Sequence, residues 1–146
     1  MPRPVLLGIC FAAGIIIGII GTALHGNIWV IGEAQSGAVL PWGAALALLI
    51  LLLGLLWAGT TARSLTEPLL LGATVFSVAS IAYIWPGPDQ LVVPYSSAAF
   101  QSLPGPVIAS LLWWLGSAAI TLVGLILVKW VLAADAARHL TSTKVS

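Results

Sequence analysis

Charge is what this chain has least of. Among 146 residues there are five Lys or Arg and four Asp or Glu, 6% in all. A water-soluble domain carries about 25% charged residues, because its surface must be wetted. With 60% hydrophobic residues, this chain cannot cover a soluble globule. The net charge of +1 comes without any Lys/Arg cluster. That excludes a nucleic-acid patch and a polybasic contact with acidic lipid. A single cysteine, Cys10, excludes an intramolecular disulfide. Ile9 stands where a lipoprotein box needs a small residue, so Cys10 reads as a buried, apolar-like thiol. His25, Glu33 and Asp89 match no metal-ligand spacing and are expected as solvated loop residues. No metal, cofactor or catalytic site is expected.

What the chain does have is four apolar stretches, at about 5–24, 40–58, 69–85 and 107–134. About 20 helical residues rise about 30 Å, enough to cross a hydrocarbon core. The expectation is an all-α membrane protein, one domain over 1–146, with four transmembrane helices in two hairpins. Pro4, Pro41, Pro68 and Pro106 mark the four starts, where a missing N–H costs nothing. Thr66 and Glu67 are candidate caps of the third helix. No apolar run holds an internal proline, so no proline kink is expected. The first run follows only Arg3 and exceeds the 7–15 residues usual for a signal-peptide core, so it reads as a retained helix.

The basic residues set an orientation. Arg3, Arg63, Lys129, Arg138 and Lys144 all fall on one side of four crossings, while the opposite loops carry Glu33 and Asp89. By the positive-inside rule both termini are cytoplasmic. Trp42, Trp57, Trp85 and Trp130 sit at span ends, and Trp113 and Trp114 in the outer part of the fourth span, as interfacial indoles do. Lys129 is placed to snorkel to the cytoplasmic interface.

No Asp, Glu, Arg or His lies midway along a span. Proton relays and ion-coupled transporters need such groups at depth. The polar groups there are hydroxyls, and Thr74, Ser77, Ser80 and Ser117 are candidates for a polar path. Their alternative role is a hydrogen bond to their own helix or to a neighbour. Small residues recur at four-residue spacing: Gly14 with Gly18 in the first span, and Gly116 and Gly124 on one face of the fourth. Such faces let backbones approach closely, within the bundle or against a second protein. The 86–105 loop combines four prolines with Leu91, Val92, Val93 and Phe100. Its stretch Tyr95–Leu103 is expected either to lie in the interface as a short helix or to cap the outer end of the bundle, and the loop is the best surface for a protein partner.

The four-span frame, with Gly-Ala-Val-Leu-Pro-Trp-Gly at 37–43 and Leu-Val-Val-Pro at 91–94, resembles an uncharacterised family of small actinobacterial integral membrane proteins. The resemblance implies a bacterial plasma membrane and no particular activity. The leading expectation is a non-catalytic accessory or scaffold subunit. Its partners would be the lipid bilayer and another membrane protein or a second copy of the chain. The alternative is an oligomeric transporter or channel for a small or lipophilic solute. An enzyme at the outer interface would have to use His25, Glu33 or Asp89.

Overall fold

The computed structural model describes residues 2–32, 38–85 and 91–142, with side chains as far as 138. Glu33, Gln35, Asp89, Gln90 and Lys144 lie outside the described residues. The elements are α1 (Arg3–Leu24), β1 (Trp29–Ile31), β2 (Ala38–Leu40), α2 (Trp42–Ala62), α3 (Thr66–Ile84), α4 (Ser97–Ser102) and α5 (Pro104–Ser142). Helices α1, α2, α3 and α5 are long and apolar enough to cross a membrane. The class is all-α, with one addition. β1 and β2 pair antiparallel between α1 and α2, Trp29 opposite Leu40 and Ile31 opposite Ala38.

Helix ends follow local chemistry more than hydropathy. Each of the four prolines lies in or next to a first turn, Pro41 as the N-cap of α2. At the start of α3 neither Thr66 nor Glu67 supplies a side-chain cap. Instead the Thr66 N–H donates to the Ser64 hydroxyl at 3.1 Å. Helix α2 closes through Arg63 in the left-handed region, φ 51°, and the N–H groups of Arg63 and Ser64 both turn back to the Gly59 carbonyl. α5 runs for 39 residues, about 58 Å, well beyond a hydrocarbon core of about 30 Å. Its continuation past the apolar stretch includes Ala136 and Ala137, strong helix formers that give the helix no reason to stop.

The two hairpins describe connectivity, not packing. α1 packs chiefly on α3, and α2 chiefly on α5, with α2 and α3 also in contact. The small-residue faces make these approaches. Gly14 lies against Leu71 and Thr74 and Gly18 against Val78, all on α3. Gly116 meets Leu48 and Gly124 meets Leu55, both on α2. The core between them holds Cys10, Leu51, Leu55, Leu71, Val75 and Trp113. The Gly14–Gly18 face is therefore filled from within the chain, and a partner must meet another surface.

The bundle has two different ends. Arg3, the α2–α3 turn and the Asp135 region of α5 share one. There Arg3 Nε lies 3.4 Å from Glu67 Oε1, and Arg63 Nη2 lies 3.9 Å from Asp135 Oδ2. His25, the β-hairpin, residues 91–95 and α4 share the other.

Close packing at Gly72 gives a direct check. A Cβ there would overlap Thr121 of α5, whereas at Gly8 it would meet nothing within 4 Å. Gly72→Val is expected to destabilise the bundle by about 1–3 kcal/mol through overpacking. Gly8→Val should stay within about 0.5 kcal/mol. Thermal unfolding of the two purified variants in detergent measures the difference.

Candidate functional site

At the His25 end, a buried polar network replaces the solvated loop expected from sequence. His25 is only 2% exposed, just past the last turn of α1. Its Nδ1 faces the Thr22 carbonyl, which can only accept, so Nδ1 carries the proton. Nε2 is then the bare nitrogen, and it faces Ser110 Oγ at 3.3 Å. The Ser110 hydroxyl donates to it and accepts the Val93 N–H at 3.0 Å. Beside it, Trp113 Nε1 donates to Thr22 Oγ1 at 3.1 Å. Trp113 is fully buried against Gly21, not an interfacial indole.

The same network straps the 91–95 segment to the bundle. Val92 is fully buried, and Val93 is held by Ser110. Two residues on, the Tyr95 N–H donates to the Tyr83 hydroxyl at 3.0 Å. Tyr83 in turn stacks on Trp114 at 4.3 Å, and Trp114 Nε1 donates to Ser80 at 3.0 Å. A short helix, α4, follows, capped by Ser96 Oγ accepting the Ala99 N–H. Of the 86–105 loop, the described residues from 91 on fold over this end of the bundle, the second of the two placements expected for it, while 86–90 lie outside the described residues.

Hydroxyl, imidazole and carbonyl are aligned as in a serine–histidine pair with a main-chain orienting group. Ser110, however, is 1% exposed beneath the strap. In this geometry its hydroxyl fastens the loop. Sequence reasoning missed the pairing because His25 and Ser110 stand 85 positions apart and no local motif joins them.

Of the four candidate path hydroxyls, Thr74 and Ser77 line one groove between α1 and α3, and Ser80 and Ser117 lie outside it. Thr74 donates to the Leu70 carbonyl and Ser77 to the Ala73 carbonyl, each at 2.8 Å. Ser117 donates to the Trp114 carbonyl at 2.8 Å, and Ser80 is taken up by Trp114. Thr74 faces α1, Ser77 is exposed, and Ser117 is buried on α5.

At the Arg3 end lies a cleft of about 490 Å³, between the start of α1, the end of α2 and the start of α3. Arg3, Arg63, Thr61, Ser64 and Glu67 give it polar walls and Leu6 an apolar one. Glu67 is the exceptional residue, because its side chain is 2% exposed. Oε1 faces Arg3 Nε, whereas Oε2 is buried without a hydrogen-bond partner among the described residues. The spacing of Arg3 and Glu67, both beside spans on the side expected to be cytoplasmic, was the available sequence signal for this site. Compared with protein-family models, curated proteins and solved structures, the chain matches none.

The His25 network should make stability depend on pH. Burial pushes the imidazole below its usual 6.5, outweighing the opposing pull of the Thr22 carbonyl. The unfolded chain then binds the proton more readily than the folded one. Stability should be complete above about pH 6.5 and decline below it, by at most about 1.4 kcal/mol per pH unit. His25→Gln should be less stable at pH 7.5 but show no such decline. Thermal unfolding in detergent from pH 7.5 to 5.5 compares the two.

Proposed function

We propose that this chain is a non-catalytic accessory or scaffold subunit of a bacterial plasma membrane, with both termini cytoplasmic, that packs against another integral membrane protein. Four helices long and apolar enough to span are compatible with an integral membrane protein. The orientation rests on the basic residues, which favour the cytoplasmic side. Arg3 and Arg63 come together at one end of the bundle, consistent with that assignment.

The observation that carries the reading is the apolar surface at the His25 end, outside the spans. Trp29 and Ile31 of β1, with Leu91, Tyr95 and Phe100, are all exposed there. Apolar exposure along a span is explained by lipid, but these residues lie on the hairpin, the strap and α4. The strap and the hairpin hold them on a fixed platform, and a rigid platform keeps the entropy cost of docking low. Exposed apolar side chains gathered at one end of a bundle mark a contact surface. The partner is a membrane protein because the spans confine the platform to the bilayer surface.

Affinity purification in mild detergent tests the reading. One stoichiometric membrane-protein partner is expected, lost when Trp29 and Leu91 are both replaced by serine while the unfolding temperature is retained. A chain that purifies alone removes the basis of the proposal. For orientation, a fluorescent-protein fusion at the C-terminus should be fluorescent and a C-terminal alkaline phosphatase fusion inactive.

A further inference from the structure

A buried carboxylate oxygen without a donor is costly, because its lost hydration is not replaced. Glu67 Oε2 is in that position, and Glu67 is one of the residues lining the cleft at the Arg3 end. Cleft volume, about 490 Å³, is within the range of small-molecule sites. Beside the carboxylate are two guanidinium groups about two-thirds exposed, so both keep donors facing solvent. Arg3 uses Nε toward Glu67 and Nη2 toward Thr66, and among the described residues Arg63 makes a long 3.9 Å contact with Asp135. Two cations and an acceptor thus border one space. Leu6 supplies an apolar wall, and the four spans put the opening at the level where lipid headgroups begin.

We infer that the Arg3–Arg63–Glu67 cleft binds a ligand carrying a phosphate and a primary ammonium, as in an aminophospholipid headgroup. The phosphate lies on Arg63 and the free edge of Arg3, since guanidinium donors match phosphate oxygens. The ammonium donates to Glu67 Oε2, the oxygen left without a hydrogen-bond partner among the described residues. An N–H donor is essential to this fit. A quaternary ammonium offers charge but no donor, and a glycerol headgroup offers only a neutral hydroxyl. The site is at the opposite end from the docking platform and stands or falls separately from it. It rests only on the four helices being spans.

The test uses the full chain in detergent, with short-chain phosphatidylethanolamine, phosphatidylcholine and phosphatidylglycerol as probes, and free phosphoethanolamine alongside. Retained ligand is read by native mass spectrometry. Phosphatidylethanolamine should bind about tenfold more tightly than either other lipid, the scale of one charge-assisted hydrogen bond. Glu67→Gln should bring the ethanolamine-to-choline ratio close to one. Arg63→Gln should weaken both lipids alike and leave their ratio unchanged. Because Glu67 is buried, the comparison on the unaltered chain stands even if Glu67→Gln does not fold. Equal binding of ethanolamine and choline lipids overturns the inference, as does a preference for phosphatidylglycerol. Phosphoethanolamine bound as tightly as the lipid keeps the recognition chemistry but makes the ligand a soluble one. Much weaker binding of phosphoethanolamine assigns the site to lipid.

Discussion

Every polar group this bundle buries has to find its partner inside the protein, because hydrocarbon supplies none. That constraint organises the structure. The hydroxyls of Thr74, Ser77, Ser117 and Thr121 each return to a carbonyl three or four residues back in their own helix. They are satisfied without another helix, so the contacts between helices can be made by shape. Gly14, Gly18, Gly116 and Gly124 supply it, each receiving a side chain from a neighbouring helix. Among the described residues, side-chain hydrogen bonds between elements gather toward the helix ends, with Trp114 to Ser80 joining α5 and α3 within the bundle.

The two ends solve the same problem differently. At the His25 end, Thr22, His25, Ser110 and Trp113 close on one another and on the backbone of the 91–95 strap. The result is a fixed lid on which apolar side chains stand exposed. At the Arg3 end, Glu67 Oε1 faces Arg3, Oε2 has no hydrogen-bond partner among the described residues, and a cleft opens beside the side chain. A closed network presents a surface. An open one presents a site. The proposed docking role and the proposed headgroup site follow from that contrast.

The spans were legible because hydropathy over about 20 residues is a strong signal, and the prolines fixed the starts to within a turn. The length of α5 was not, since alanine continues a helix without being apolar enough to extend a span. The β-hairpin escaped notice because three-residue strands fall below any periodic signal. His25 was misread as solvated, and Trp113 as interfacial. Both errors have one cause: burial at a bundle end depends on which loop folds back over it, and that pairing is non-local. Glu67 lay close to a correct reading, but its role as a cap failed once Ser64 took the Thr66 N–H.

At the His25 end the buried side chains of Thr22, His25, Ser110 and Trp113 are neutral and partnered within the chain, and His25 is where that is most directly measured. Nitrogen NMR of the imidazole in detergent-solubilised protein reports both charge and tautomer. A ring protonated on Nδ1 that titrates below the usual imidazole value is the predicted result. A ring protonated on Nε2, or one that titrates at or above the usual imidazole value, would contradict the network and the strap it holds.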